Sequence, residues 1–145
     1  MVSTGGTGTY STSGKYPGIT DIQAGSYLLM DTRDMNLGAP FKRMLTILTP
    51  VISCRRRTQA VVDAGVKAMS GERGLPTVKD AVGLELTALH AEHAPIEVDA
   101  RARFPVEPGQ KFEIRVYHSD ATVNLHSKMY GVRRGQVEEV FQIAH

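Results

Sequence analysis

The chain has 145 residues, of which 41% are apolar and 22% are charged, and this supports one compact domain or one small domain with an appendage. Its formal charge of +2 is too small to predict a nucleic-acid binder, and its single cysteine, Cys54, excludes an internal disulfide and favours a reducing compartment. Because no apolar run is long enough to cross a membrane and the N-terminus lacks an apolar stretch, we expect a soluble cytoplasmic protein with no membrane partner.

The first 40 residues contain two glycine-containing segments. Residues 1–18 have the Gly, Ser and Thr content of a flexible tail, but the cluster Gly5–Thr9 could also bend its backbone amides around a phosphate. Residues 19–31 predict a short strand, a glycine turn and a brief helix with Ser26 as its N-cap. At Gly25 and Ser26, amides and the helix dipole would form a second possible phosphate site. The segment 36–40 (NLGAP) predicts a boundary.

From Phe41 onward the pattern is that of short strands. Pro50 interrupts the first, an apolar run expected to be buried on both faces, and predicts a bend or an edge position there. The last two strands predict a hairpin with its turn at Arg134-Gly135 and a bulge at Glu138-Glu139. Together these strands predict a mainly β fold, a small β-barrel or sandwich. The expected strands are residues 44–52, 60–63, 82–89, 96–98, 111–117, 129–133 and 136–143.

The tripeptide His118-Ser119-Asp120 follows the most regular of these strands. Residues i and i+2 of a strand point to one face, so the imidazole and the carboxylate could converge on one ion. Two protein ligands leave an open site suited to metal catalysis, and a carboxylate ligand favours Mn²⁺, Mg²⁺ or Zn²⁺. The alternative is an ordinary His–Asp hydrogen bond at a strand end.

Other candidates carry weaker signals. His90 and His93 favour a polar loop over a metal site, and Lys67 favours a surface lysine over an anion contact. Cys54 has no neighbouring histidine to lower its pKa, so it is not expected to be a nucleophile.

Six segments in order resemble the D-threonine aldolase and D-serine dehydratase family: VSTGGTGTY, TDIQAGSYLLMD, LTILTPVIS, AVVDAGVKAMSGERG, AEHAPIEV and VYHSDATVNLH. In that family an α/β barrel carries pyridoxal phosphate on a lysine, and a C-terminal β domain supplies a metal site. The resemblance implies that Thr7, Gly25 and Ser26 contact the cofactor phosphate and that His118 and Asp120 are the metal ligands. The dehydratase branch has cysteine at the position of Asp120, so the resemblance favours an aldolase.

The resemblance also implies how the chain is organised. Residues 1–40 would be the last strand and helix pieces of the cofactor-binding α/β barrel, and residues 41–145 the C-terminal β domain. Lys15, Lys42 and Lys67 do not sit in the family's anchor motif, so no catalytic residue is assigned. We therefore expect part of a larger enzyme, a truncated relative or half of a split enzyme, which is inactive without a lysine-bearing barrel.

The function that follows is retro-aldol cleavage of a D-β-hydroxy amino acid to glycine and an aldehyde. Its expected partners are that substrate and either a second copy of the chain or a separate barrel chain. Three alternatives stay open: a D-serine dehydratase-type lyase, a non-enzymatic metal-binding, ligand-binding or assembly module, and a metal hydrolase. The hydrolase is ranked last because no further ligands are evident.

Overall fold

A computed structural model describes residues 1–36, 38, 40–103 and 105–144. Within these ranges the chain forms ten strands, three short α-helices and one 3₁₀ helix, Ser26–Leu28. The helices are α1 (Tyr10–Ser13), α2 (Thr32–Asn36) and α3 (Ser119–Val123). The strands are β1 (Ser3–Thr4), β2 (Asp21–Ile22), β3 (Thr46–Cys54), β4 (Gln59–Val62), β5 (Thr77–Val78), β6 (Leu84–Leu86), β7 (Ala94–Val98), β8 (Lys111–Arg115), β9 (Lys128–Arg133) and β10 (Gln136–Gln142).

Six of the strands form one antiparallel sheet in the order β5-β8-β3-β4-β7-β6. The edge strands β5 and β6 lie in contact with each other, so the sheet is nearly closed into a barrel. The predicted mainly β, barrel-like fold is confirmed. Its core is a single apolar cluster formed by the inward-facing side chains: Val51, Ala60, Val62, Ala64, Met69, Val78, Leu84, Leu86, Ala94, Ile96, Phe112, Ile114 and Val116.

Strand β3 decides one expectation and corrects another. It lies between β4 and β8, so of the two alternatives predicted for Pro50, a bend or an edge position, the edge is excluded. The register with β4 shifts between Val51 and Ser53, and such a bulge next to Pro50 lets the strand accommodate a residue without an N–H. The side chains of Leu48 and Ile52 are exposed, so the strand is not buried on both faces.

The predicted closing hairpin is confirmed. Arg133 pairs with Gln136 across the turn, and the register shifts between Val137 and Glu139, which is the expected bulge. Arg134 and Gly135 both have positive φ, as a tight hairpin turn requires. Every residue of β10 is exposed.

Residues 1–36, called here the N-terminal region, are not an unstructured tail. β1 pairs in parallel with β2, and Thr7 is buried. Gly25, not Ser26, occupies the N-cap position, and Ser26 is the first residue of the 3₁₀ helix. The predicted break at 36–40 includes Leu37 and Ala39, which lie outside the described residues, so a boundary at residue 40 stays a prediction.

Among the described residues, no helix combines the length and the hydrophobicity needed to cross a membrane.

Candidate phosphate and metal site

Thr7 brings the two glycine-containing segments together. Its side chain is 3% exposed, and its Oγ1 accepts a hydrogen bond from the Tyr27 N–H at 3.0 Å. The turn that presents Thr7 needs glycine at position 5, where φ is +79° and a Cβ would lie 2.7 Å from the Ser13 Oγ. The cluster 5–9 and the Gly25-Ser26 turn are therefore neighbours, although 20 residues separate Thr7 from Tyr27.

Hydrogen-bond donors are concentrated where the two segments meet. Within the part of the chain that the structure describes, the Gly25 and Ser26 amides donate to no protein acceptor. Thr7 Oγ1 acts as an acceptor, which leaves its hydroxyl proton to donate. The 3₁₀ helix has only three residues, which is too short for a substantial dipole, so the prediction that a helix dipole attracts a phosphate here is wrong. Two amides and a hydroxyl are the donors that fit a phosphate group.

His118 and Asp120 are close to each other, but not for the reason predicted. β8 ends at Arg115, and His118 is the extended N-cap residue of α3, with φ −130° and ψ 111°. Asp120 lies in the first turn of that helix, so the two side chains do not share a strand face. The distance from His118 Nε2 to Asp120 Oδ2 is 3.8 Å. The alternative His–Asp hydrogen bond is not formed at this distance.

The surroundings of His118 fit a metal ligand. Its imidazole Nδ1 is buried and has no hydrogen-bond partner among the described residues. Glu72 Oε2 lies 3.9 Å from Nδ1, while Asp120 faces Nε2. This disposition matches a histidine that binds a cation through one nitrogen and faces a carboxylate with the other. No group of three His, Cys, Asp or Glu residues gathers in the described ranges, so a cation held here would have only His118 and Asp120 as protein ligands and would keep open positions.

Helix α3 is fixed by contacts that the sequence analysis missed. Thr122 Oγ1 donates to the His118 carbonyl at 2.9 Å and accepts from the Ser70 N–H at 3.1 Å. His126 Nε2 lies 2.8 Å from the Ala68 carbonyl. No local sequence signal indicates the contacts with Ser70 and Ala68, because these two residues lie in a loop more than 50 residues before their partners.

A second series of hydrogen bonds links His118-Ser119-Asp120 to the N-terminal region. Asp31 Oδ2 accepts from the Ser119 N–H at 3.1 Å, and Asp31 Oδ1 accepts from the Asp34 N–H at 2.9 Å. The Ser26 hydroxyl donates to Asp34 Oδ2 at 2.7 Å. The spacing Asp31-x-x-Asp34 is a helix-start signal that could have identified Asp31 as a cap for α2, but not its contact with Ser119.

A cavity of about 430 Å³ lies beside His118 and Asp120, the two candidate metal ligands that are called here the metal pair. Glu72, which faces His118, lines it together with Ala121, which follows Asp120. Most of the remaining lining is aliphatic: Val66, Leu75, Leu89 and Leu125. The cavity can therefore take an uncharged group next to the two candidate ligands.

The weaker candidates lie outside this arrangement. His90 and His93 are in a loop, where the His90 N–H donates to the His93 carbonyl. Lys67 has an exposed side chain paired with Glu92, as a surface lysine would. The Cys54 thiol donates to the Val106 carbonyl at 3.2 Å, and burial, together with the charge of Glu107, raises its pKa. A raised pKa is unfavourable for a nucleophile.

Residues 44–132, which include His118 and Asp120, match the family described as "Putative serine dehydratase domain". The chain belongs to this family. It is 33% identical over 150 residues to a D-threonine aldolase from Arthrobacter sp, and the match covers 99% of this chain and 38% of that protein. It is 37% identical over 156 residues to a 3-hydroxy-D-aspartate aldolase from Paracoccus denitrificans, and the match covers 99% of this chain and 39% of that protein.

The fold agrees with this assignment. The crystal structure of D-threonine aldolase from Filomicrobium marinum superimposes with a TM-score of 0.89 at 30% identity, covering 98% of this chain and 40% of that one. The family resemblance predicted from the six sequence segments is confirmed. The chain spans about two-fifths of the length of the curated relatives that it matches.

Proposed function

We propose that this chain is the phosphate-contacting and metal-bearing part of a lyase that depends on pyridoxal phosphate and a divalent metal. The reaction is cleavage of a D-β-hydroxy amino acid to glycine and an aldehyde. One observation carries the proposal: hydrogen bonds through Asp31 and Asp34 join the Ser26 turn to Ser119, which lies between the two candidate metal ligands. A phosphate group and a cation bound at these two places would belong to one site.

At the phosphate end, the amides of Gly25 and Ser26 and the hydroxyl of Thr7 bind the cofactor phosphate. The Ser26 hydroxyl donates to Asp34, so Ser26 contributes its amide and not its side chain. Pyridoxal phosphate supplies an electron sink for the carbanion that carbon–carbon cleavage produces. Residues 1–40 contribute this contact as the end of the family's cofactor-binding barrel. Residues 41–145 form the family's C-terminal β domain.

At the metal end, His118 Nε2 and Asp120 would hold Mn²⁺, Mg²⁺ or Zn²⁺. A divalent cation supplies Lewis acidity, which lowers the pKa of the substrate's β-hydroxyl group. His118 is 9% exposed and is kept in place by α3, whereas the Asp120 side chain is 75% exposed and can reach toward a ligand.

An aldolase is favoured over the alternative D-serine dehydratase-type lyase by the residue at position 120. Aspartate provides an oxygen ligand there, as in the aldolase branch, whereas the dehydratase branch has cysteine. The names of the relatives at 33% and 37% identity, both aldolases, support the same choice.

The activity requires the family's lysine-bearing barrel, supplied in the same polypeptide or by another chain. Lys67 does not replace that lysine, because it is exposed and paired with Glu92. The remaining partners are the amino-acid substrate and a second copy of the chain, and the compartment is the cytoplasm.

The first test measures Mn²⁺ binding by the loss of the free-ion electron paramagnetic resonance signal. The wild-type chain should bind one Mn²⁺, and Asp120→Ala should abolish binding because one of two protein ligands is lost. Asp63→Asn, an exposed aspartate outside the site, is the matched control and should bind as the wild type does. Equal binding by Asp120→Ala would show that the metal ligands are misassigned.

The second test adds a separately produced family barrel and assays glycine release from D-threonine. Activity that depends on both chains and is lost in Asp120→Ala would support the lyase. A chain that binds Mn²⁺ but stays inactive with every barrel would favour the non-enzymatic module. Borohydride reduction with pyridoxal phosphate completes the test, because a stoichiometric adduct on one lysine of this chain would contradict the need for a barrel.

A further inference from the structure

Asp31 is a buried carboxylate with an unusual set of partners. It is 2% exposed and forms no salt bridge within the described residues. Its Oδ2 accepts from both the N–H of Ser119, at 3.1 Å, and the Ser119 hydroxyl, at 3.3 Å, while its Oδ1 accepts from the Asp34 N–H. Burying a carboxylate is costly unless donors surround it; one of these three donors is local, and the other two belong to Ser119, 88 residues further along the chain than Asp31.

The backbone around Asp31 holds this residue against residues 116–119. Met30 is 1% exposed, and its backbone adopts a left-handed conformation with φ 51°. This conformation is rare for residues other than glycine, asparagine and aspartate. After it, the Thr32 hydroxyl donates to the Val116 carbonyl at 3.2 Å, and the Arg33 N–H donates to the Tyr117 carbonyl at 3.3 Å. The turn at Met30 thus places Asp31 and its successors along residues 116–119.

Ser119 is the residue through which this contact reaches the metal pair. It lies between His118 and Asp120 and is fully buried. Its hydroxyl is 3.4 Å from Asp120 Oδ1. Fixing the Ser119 N–H therefore fixes the backbone from which both ligand side chains project.

We propose that Asp31 is a positioning residue for the metal site, holding His118 and Asp120 in register through Ser119. This inference rests on the metal assignment of the proposed function. Through Asp34 and Ser26 the same carboxylate also connects the metal pair to the phosphate turn.

A purely structural role as the N-cap of α2 makes a different prediction. Asparagine at position 31 can still accept from the Asp34 N–H, so the cap is kept. Its other side-chain atom is an NH₂ group, which meets the Ser119 N–H donor to donor. Asp31→Asn therefore breaks the contact with Ser119 while sparing the cap.

The experiment compares Mn²⁺ dissociation constants of the wild type, Asp31→Asn, Ser119→Ala and the control Asp63→Asn. Each is measured by electron paramagnetic resonance at a temperature where circular dichroism shows the variant folded. Asp31→Asn should raise Kd by about tenfold or more, as loss of a residue that orients metal ligands does. Ser119→Ala keeps the amide contact and loses only the hydroxyl, so its Kd should rise by roughly threefold. Asp63→Asn should match the wild type.

The outcomes separate this inference from the proposed function. If the wild type does not bind Mn²⁺, or binds it equally well with Asp120→Ala, the metal assignment fails and the inference fails with it. If Asp120→Ala loses binding while folded Asp31→Asn keeps the wild-type Kd, the inference alone is overturned and Asp31 is only a cap. If Asp31→Asn does not fold, Ser119→Pro decides, because proline is tolerated at the first position of α3 but has no N–H to donate to Asp31; an unchanged Kd in that variant overturns the inference.

Discussion

The six-stranded sheet and the N-terminal region are held together by different forces. The sheet encloses one cluster of buried apolar side chains. The buried residues of the N-terminal region are Met30 and three polar residues, Thr7, Asp31 and Asp34. Burial of apolar surface is non-directional, so the sheet's core tolerates apolar substitutions that conserve volume. Hydrogen bonds depend on particular atoms, so the N-terminal region is ordered by the groups that build the candidate site.

The largest loss of stability should come from a substitution that leaves a cavity in the core of the sheet. Ile114 is fully buried and sits between Ile47 of β3 and Val78 of β5. Ile114→Ala should lower the free energy of unfolding by about 2–5 kcal/mol, measured by urea denaturation. Leu48→Ala, at a 65% exposed position of the same sheet, should change it by less than about 0.5 kcal/mol. Equal losses would show that the burial pattern of β3 and β8 is misassigned.

Thr7→Val should cause a smaller loss of stability, confined to the N-terminal region. Valine has nearly the shape of threonine but leaves the Tyr27 N–H without its acceptor, at a cost of about 1–3 kcal/mol. Since Thr7 is not part of the sheet's core, amide hydrogen exchange should accelerate in residues 20–30, with little change in the urea midpoint.

Thr12→Val is the control, because Thr12 is exposed and its side chain forms no hydrogen bond among the described residues. A loss of stability across the whole chain with Thr7→Val would mean that the two regions unfold as one unit. The contrast between them would then be lost.

The same contrast explains which parts of the fold the sequence could predict. The alternation of Phe112, Ile114 and Val116 and the turn at Arg134-Gly135 are local patterns, and both were interpreted correctly. For Pro50 the sequence left a bend and an edge position open and could not decide between them, because the bulge against β4 is a property of the paired strands.

The geometry around His118 and Asp120 could not be predicted from the sequence, and their role as metal ligands stays a prediction. The two side chains lie close together, but the strand ends three residues before His118, and contacts with Ser70 and Asp31, from distant segments, fix the helix that follows. The composition of residues 1–18 indicated a tail, since nothing local shows that Thr7 contacts Tyr27. Directional contacts over 20 to 88 residues leave no periodic signal.

The smallest effect should come from charge on the sheet's surface. Lys79 donates a hydrogen bond to Glu113 at 2.8 Å and lowers the pKa of that carboxyl; burial opposes this, and the Thr46 hydroxyl assists it. A lowered pKa stabilises the fold above pH 4.5, the ordinary value for glutamate, and the contribution is lost as pH falls below it. Because both side chains are partly exposed, the contribution should be about 0.2–1 kcal/mol.

Glu113→Gln should therefore lower stability at pH 7 and have less effect at pH 3, as measured by urea midpoints at both values. Glu139→Gln, at an exposed position of β10 opposite Gly131, should show no such difference between the two pH values. An equal loss at both would mean that the glutamate acts through packing and not through its charge. In either case the loss should stay within about 1 kcal/mol, far below that of Ile114→Ala, because a partly exposed ion pair retains water as an alternative partner.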